Sequence, residues 1–344
     1  MAGDSLSINK FIVNIALYIP DGRAADKTVY LIGAQLQEKR SEQNLVRAES
    51  INEFVERMKH LAEHDTMVRK ERHISSFMRN MKKNRYTQIV LFNEGAVTLD
   101  VTKNDAKDDD YIHATKIKGK FGNYVLAQSP KRTTVDSWLR MIWQLNITII
   151  VCLIPLVSKD KCAKYFEKKE GKKLKQKYFM IKTLASRKQG PIMTYILKVT
   201  NKYDPQERLI YVLMFTGWQE VSQKPEITEL LSLLRATWAL EQSNVSDKKY
   251  PTLVHGVSGT RRTGTYVLLS MLCRQMTERG ELSLIPACSA VRNYRYGVMN
   301  SRFCFLILLK ALLIFATDIG LINQSKQNFK TTLQISEILG KEWN

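Results

Sequence analysis

Between residues 46 and 80, Ile51, Phe54, Val55, Met58 and Leu61 recur at three- and four-residue spacing, which predicts amphipathic helix. Further along, the period changes. Ile89 to Phe92 is a short apolar run that predicts a strand. Ile147 to Ile154 is an uninterrupted β-branched and leucine run, the pattern of a strand covered on both faces. Glu207 to Thr216 predicts another strand. Leu253 and Val254 close a further short run, and Val267, Leu268, Met271, Leu272 and Met276 then return to helical spacing. Leu306 to Ala316 predicts a very apolar core helix. In residues 1–45, Phe11 to Tyr18 fits a strand or a helix equally, and this N-terminal segment has no assigned role. Helical and strand patterns interleave along the chain, so the expected class is α/β.

With 344 residues, 44% of them apolar, the chain can bury one large core. Its charge narrows the partners. Fifty-three basic against 33 acidic residues give a net +20, which favours an anionic partner such as a phosphoprotein, an acidic membrane face or nucleic acid. The most basic stretch is Lys159 to Lys177, nine lysines against Asp160, Glu167 and Glu170. It reads first as a solvated hairpin or loop, and second as a docking patch for an acidic sequence. Nucleic acid is disfavoured, because no stacking platform or known binding motif accompanies these lysines.

Five cysteines occur without a CxxC pair. Cys152, Cys273 and Cys304 lie within apolar patterns, as small core residues do, so a reduced cytoplasmic setting is expected. The longest apolar run, Phe303 to Ala316, is interrupted by Lys310 and too short for a comfortable transmembrane helix. Phe11 to Ile19 lacks the flanks of a signal peptide. Asn146-Ile147-Thr148 matches a glycosylation acceptor but opens a run expected to be buried.

The candidate chemistry lies in Pro251 to Tyr266, PTLVHGVSGTRRTGTY. A buried strand there feeds a glycine-rich turn that opens a helix. Such a turn aims backbone N–H groups at one point, and the helix N-terminus adds positive potential. Gly259 permits a curl where a side chain would clash, and Arg262 offers a planar fork of donors to a phosphate. An ordinary strand-to-helix loop with surface arginines would show the same composition.

This stretch resembles the signature loop of the protein tyrosine phosphatases, (V/I)-H-C-x-x-G-x-x-R-(S/T)-G. Val254, His255, Gly259, Arg262, Thr263 and Gly264 match it. Gly256 stands where that family has its nucleophilic cysteine, and Arg261 where it often has glycine. Other segments resemble the family in its own order. Lys83-Asn84-Arg85-Tyr86 is similar to the phosphotyrosine-recognition loop, with Gln88 where an acidic residue usually holds the substrate backbone. Asp110 to Ala114, Tyr124 to Pro130, Thr134 to Trp143 and Lys161 to Phe166 resemble further family elements. Met214-Phe215-Thr216-Gly217-Trp218-Gln219-Glu220 resembles the mobile F-T-G-W-P-D loop. Val291 to Ser301 resembles the segment that supplies a water-positioning glutamine, with Asn300 at that position.

The resemblance covers about residues 46–317, leaving 318–344 as a tail. It implies one phosphatase-like domain with a central twisted mixed sheet flanked by helices on both faces. It also implies a phosphate cradle of His255, Gly256, Val257, Ser258, Gly259, Thr260, Arg261, Arg262 and Thr263, with Tyr86 as the wall for the phenyl ring. No cofactor or metal is implied. The reacting positions are altered. Gly256 has no nucleophile, Glu220 at the general-acid position is a methylene longer than aspartate, and Asn300 is one shorter than glutamine. Gln219 replaces a proline that would fix the loop's shape. Loss of a nucleophile costs roughly 10⁶-fold in rate in comparable enzymes. Ser258 would need a neighbouring base to substitute. Arg261 would be strained if its position required a positive φ, and its side chain could fill the cradle.

The reading that follows is a catalytically inactive domain that binds a phosphotyrosine-containing or acidic protein in signalling. The alternatives are a phosphatase with residual phosphoester hydrolase activity, and a structural interaction module acting through its basic surface.

Overall fold

The computed structural model describes residues 72–101, 109–156, 160–218, 225–243 and 250–321. The helical pattern expected up to residue 71, the N-terminal segment and the tail beyond 321 lie outside the described residues.

Helix α1 (Ser75–Arg79) and a 3-10 turn precede β1 (Ala96–Thr98), β2 (Tyr111–Gly119) and β3 (Gly122–Gln128). Helix α2 (Val135–Gln144) leads into β4 (Ile149–Cys152), and β5 (Lys173–Lys175), β6 (Phe179–Gln189), β7 (Ile192–Asn201) and β8 (Asp204–Phe215) follow. Helix α3 (Ile227–Ser243), β9 (Thr252–Gly256), α4 (Arg261–Arg279), α5 (Leu284–Arg292) and α6 (Arg302–Asp318) complete the described elements.

The strands form one mixed sheet in the order β1-β2-β3-β9-β4-β8-β7-β6-β5. Its centre is parallel: β9 pairs in parallel with β3 and with β4, and β4 with β8. The outer pairs are antiparallel.

The alternation of side chains along these strands feeds two cores. Leu126, Val151, Leu213 and Val254 pack with α3, α4, α5 and α6 on one face. Val125, Ala127, Ile150, Cys152, Val212 and Leu253 pack with α2 on the other. Central strands buried on both sides need apolar residues at every position, and all four residues of β4 are buried. β4 is shorter than its run because Asn146, at φ 52°, turns the chain just before it and Ile147 enters the core without joining the ladder. Helix α4 is buried from Arg262 through Cys273, which explains its lack of a polar face. Its Gly264 lets the chain come close, since a Cβ there would lie 2.6 Å from Val298 Cγ1.

One expected strand does not form. Ile89 to Phe92 joins no ladder. Val90, Leu91 and Phe92 are buried consecutively, not alternately, against Phe77 and Tyr111 in a small separate core. The segment ends where Asn93 N donates to His73 O at 2.7 Å and Gly95 adopts φ +78°. Burial on all sides explains the apolar run without sheet pairing.

The lysine-rich stretch contains β5, the outermost strand of the sheet, in keeping with a solvated hairpin. All five cysteines are free and buried. Among the described residues, no helix is long and apolar enough to cross a membrane.

Candidate functional site

β9 carries the chain through the middle of the sheet and delivers it, at Gly256, to the loop that opens α4. The loop's shape depends on Gly259. Its φ is +73°, and a Cβ there would stand 2.4 Å from both the carbonyl carbon and the oxygen of Ala127. No L side chain fits such a contact. Arg261 opens the helix, is exposed, and is not among the described residues with positive φ, so it carries no backbone strain.

Five of the loop's carbonyls are hydrogen-bonded. His255 O accepts from Leu153 N at 2.9 Å, Val257 O from Ser129 N at 3.1 Å, and Thr260 O from Gly264 N at 2.7 Å. Ser258 O and Gly259 O accept from the Arg295 guanidinium at 3.1 and 3.0 Å. The N–H groups of Ser258, Gly259 and Thr260 have no protein acceptor among the described residues. Peptide units that spend their carbonyls inward and leave their N–H groups open form an anion-binding nest, reinforced here by the N-terminus of α4.

Arg295 is the piece that sequence reading missed. It is fully buried, also donates to Thr115 Oγ1 at 3.2 Å, and lies 3.1 Å from His113 Nδ1. Burial lowers its pKa to about 10, which leaves it charged at neutral pH. His113 bridges onward, with Nε2 3.0 Å from Ile89 O. Burial first, and the Arg295 charge second, hold its pKa down to about 3. The imidazole is therefore neutral, and its Nδ1 can accept from Arg295 while Nε2 donates to Ile89 O. The signal available was one of two arginines in the Val291 to Ser301 stretch, with nothing to say that it points inward.

His255 does not line the pocket. It is buried behind β9, 3.0 Å from Tyr165 Oη and edge-on to Trp138. Burial holds its pKa down to about 3, so it is neutral and supports the loop from beneath. Trp218 is also buried, and its carbonyl accepts from Arg262 Nη1 at 2.7 Å. That bond fixes the guanidinium from one side. Gln219 and Glu220, the general-acid segment, lie outside the described residues.

The pocket in front of the loop has a volume of about 590 Å³. The residues from Gly256 to Thr263 form its base, with Tyr86, Gln88 and Ile89 on one wall and Tyr296, Gly297 and Asn300 on another. Lys161, Arg261 and Arg262 also line it, and no described lining residue is acidic. Tyr86 is 38% exposed, held at the rim by its neighbours. Arg85 donates to Ser129 O, Pro130 O and Asp160 O, and Asn84 is buried between Tyr111 Oη and Phe77 O. The loop that presents Tyr86 is thereby pinned to the end of β3.

At the base, Gly256 leaves a gap. Thr263 Oγ1 is buried without a hydrogen-bond partner. A Cβ built on Gly256 would lie 3.2 Å from that hydroxyl, with no other atom within 4 Å outside the neighbouring residues. The position therefore has room for a small side chain and a polar atom facing it. Ser258 Oγ, the other hydroxyl nearby, lies 2.9 Å from Thr260 Oγ1. No described base is seen against it.

A family profile described as "Protein-tyrosine phosphatase" matches residues 80–314. The chain is 30% identical over 248 residues to tyrosine-protein phosphatase 69D of Drosophila melanogaster, covering 70% of this chain and 17% of that protein. It is 26% identical over 260 residues to receptor-type tyrosine-protein phosphatase zeta of Rattus norvegicus, covering 70% of this chain and 11% of that protein. It is 28% identical over 241 residues to human tyrosine-protein phosphatase non-receptor type 7, covering 68% of this chain and 64% of that protein. Among solved structures, one from "Structural basis of PTPN18 fingerprint on distinct HER2 tyrosine phosphorylation sites" superposes with a TM-score of 0.67 at 18% identity. That match covers 78% of this chain and 95% of the other.

Proposed function

The chain belongs to the protein-tyrosine phosphatase family, and from that premise we propose that it holds phosphotyrosine in the family's pocket without turning it over. The observation that carries this reading is the asymmetry of one loop. Its carbonyls are bonded away, its amides are open, and Arg262 is fixed beside them, while Gly256 has no atom that can attack phosphorus.

Three cations and no described acid line the pocket, which suits a dianion. The absent thiolate also removes a negative charge that would face an incoming phosphate. Tyr86 offers a flat face to the phenyl ring, and aromatic contact of this kind contributes about 0.5–1.5 kcal/mol beyond area burial. Arg261 is exposed at the pocket wall and leaves the cavity open. The partner is a phosphotyrosine-containing protein, shielded or scaffolded by this domain. Five free and buried cysteines support a cytoplasmic setting.

Titration of a phosphotyrosine peptide against the protein tests this, beside the unphosphorylated peptide and the Arg262→Ala variant. Binding that requires both the phosphate and Arg262 is expected. Equal binding of the two peptides, or binding indifferent to Arg262, would overturn the reading.

A further inference from the structure

A second binding surface lies at the far edge of the sheet, five strand positions from β9 and roughly 24 Å from it at the usual spacing. It is independent of the phosphotyrosine reading. The β5 strand ends the sheet, so its outer edge has no neighbouring strand among the described residues.

Register sets its charge. Lys173 pairs with Lys182 of β6, and Lys182 with Lys198 of β7. Residues directly opposite across a ladder share a face, so three lysines stand side by side. Lys175, two residues on from Lys173, shares that face. Leu174, between them, packs against the core on the other side. Lys198 is paired with Glu207 of β8 at 2.8 Å, but Lys173, Lys175 and Lys182 have no acidic partner among the described residues. The nearby acids are engaged elsewhere. Glu167 pairs with Lys164 at 2.6 Å, and Glu170 accepts from Ser186 N and Oγ at 2.7 and 2.8 Å. Lys168, Lys169, Lys172 and Lys177 are exposed around the strand.

Like charges directly opposite one another destabilise a ladder, and edge lysines ordinarily discourage strand addition. The same charges repel a second copy of β5, because lysine would face lysine. They reward one kind of incoming strand. We propose that the β5 edge accepts an extended acidic segment of a partner protein, with the alternation acidic–apolar–acidic. Its acidic residues stand beside Lys173 and Lys175, and its apolar residue lies beside Leu174. Main-chain pairing then supplies affinity, and the lysine row supplies selectivity. The net charge of +20 speeds the encounter.

The test is titration of the full chain, at about 150 mM salt to screen loose attraction, with a labelled peptide, acetyl-Thr-Glu-Val-Glu-Val-Glu-Thr-amide. Three control peptides accompany it: Gln in place of Glu, the same residues in the order Glu-Glu-Glu-Val-Val, and the original order N-methylated at alternate residues. The expected result is saturable binding of the first peptide alone. The Lys173→Glu/Lys175→Glu variant should lose at least tenfold in affinity, and Lys173→Gln/Lys175→Gln should show a smaller loss. These side chains are exposed, and an unchanged unfolding midpoint confirms that the variants fold. Equal binding of the reordered or N-methylated peptide would mean attraction to polyanions without strand pairing, and would overturn the proposal. So would absence of binding, or binding unaffected by both variants. Capture of vesicles containing anionic lipid with no discrimination among the peptides would reassign the surface to a membrane.

Discussion

The two ends of the loop between β9 and α4 are built differently. At Gly259 the backbone passes so close to Ala127 that a single added carbon would collide with it, and the fully buried Arg295 holds the neighbouring carbonyls. At Gly256 an added carbon meets only one hydroxyl, at 3.2 Å. The cradle is welded to the fold, whereas the reacting position is not. A chain can therefore lose its nucleophile at little structural cost and still fold the cradle. It could not lose Gly259 or Arg295 without losing the loop. On the proposed reading, binding and chemistry, adjacent in space, are separable because only the cradle shares its atoms with the core.

The sharpest way to break this contrast is Gly259→Ala. Steric overlap with Ala127 together with a left-handed φ should cost about 3–5 kcal/mol or prevent folding, read from urea unfolding. A loss below about 1 kcal/mol would mean that the loop relaxes freely and the contrast is wrong.

Arg295→Met comes next. It strands the carbonyls of Ser258 and Gly259, and about 2–4 kcal/mol of stability should go with them. Phosphopeptide affinity should fall at the same time, because the amides lose their orientation. A stability loss with unchanged affinity would show that Arg295 serves the fold alone.

Arg262→Ala should have the opposite profile. On the proposed reading, a charge-assisted contact with phosphate contributes about 2–3 kcal/mol, so a loss of roughly 30–150-fold in affinity is expected by calorimetry. Stability should shift less than with Arg295→Met.

The support beneath the loop should also be visible in pH dependence. His113 and His255 have folded pKa values of about 3, lowered chiefly by burial. Unfolded histidine titrates near 6.5, so between about 6.5 and 3 the unfolded chain binds the extra protons. Stability is complete above that window and falls as the pH drops through it, by about 1 kcal/mol per pH unit for each histidine. Urea midpoints measured between pH 7 and 5 should follow this slope, and His113→Gln should flatten it. An unchanged slope in that variant would show that His113 is not held neutral.

The smallest effect belongs to Gly256. Gly256→Ala should alter stability by less than about 1 kcal/mol, because Thr263 need shift its hydroxyl by only a few tenths of an ångström. A loss as large as that of Gly259→Ala would remove the distinction between the two ends of the loop.

Much of this was legible in the sequence, for physical reasons that differ by element. β4 could be read because a strand buried on both faces is apolar at every position, and β9 from Leu253 and Val254 alone, since its Thr252 and His255 are polar and buried. The turn into α4 could be read because small residues and Gly259 separate an apolar run from a stretch of helical spacing, and glycine permits the positive φ of a tight turn. Ile89 to Phe92 misled because three consecutive buried residues look alike whether they pack in a ladder or in a small side core. Arg295 was illegible because an arginine in sequence reads as surface, and its burial depends on acceptors that two distant segments supply: β2, through Thr115 and His113, and the Ser258–Gly259 turn. The lysines of β5 could be counted, but their alignment with Lys182 and Lys198 is set by register. Composition does not carry register.

The most direct measurement follows bound peptide and free phosphate together in one sample. The protein is held with a saturating phosphotyrosine peptide for several hours, beside the Arg262→Ala variant. A stable bound fraction that depends on Arg262, intact peptide on recovery, and no phosphate above the background are expected. Phosphate released over many turnovers by the protein, and abolished by Arg262→Ala, would contradict the proposed reading.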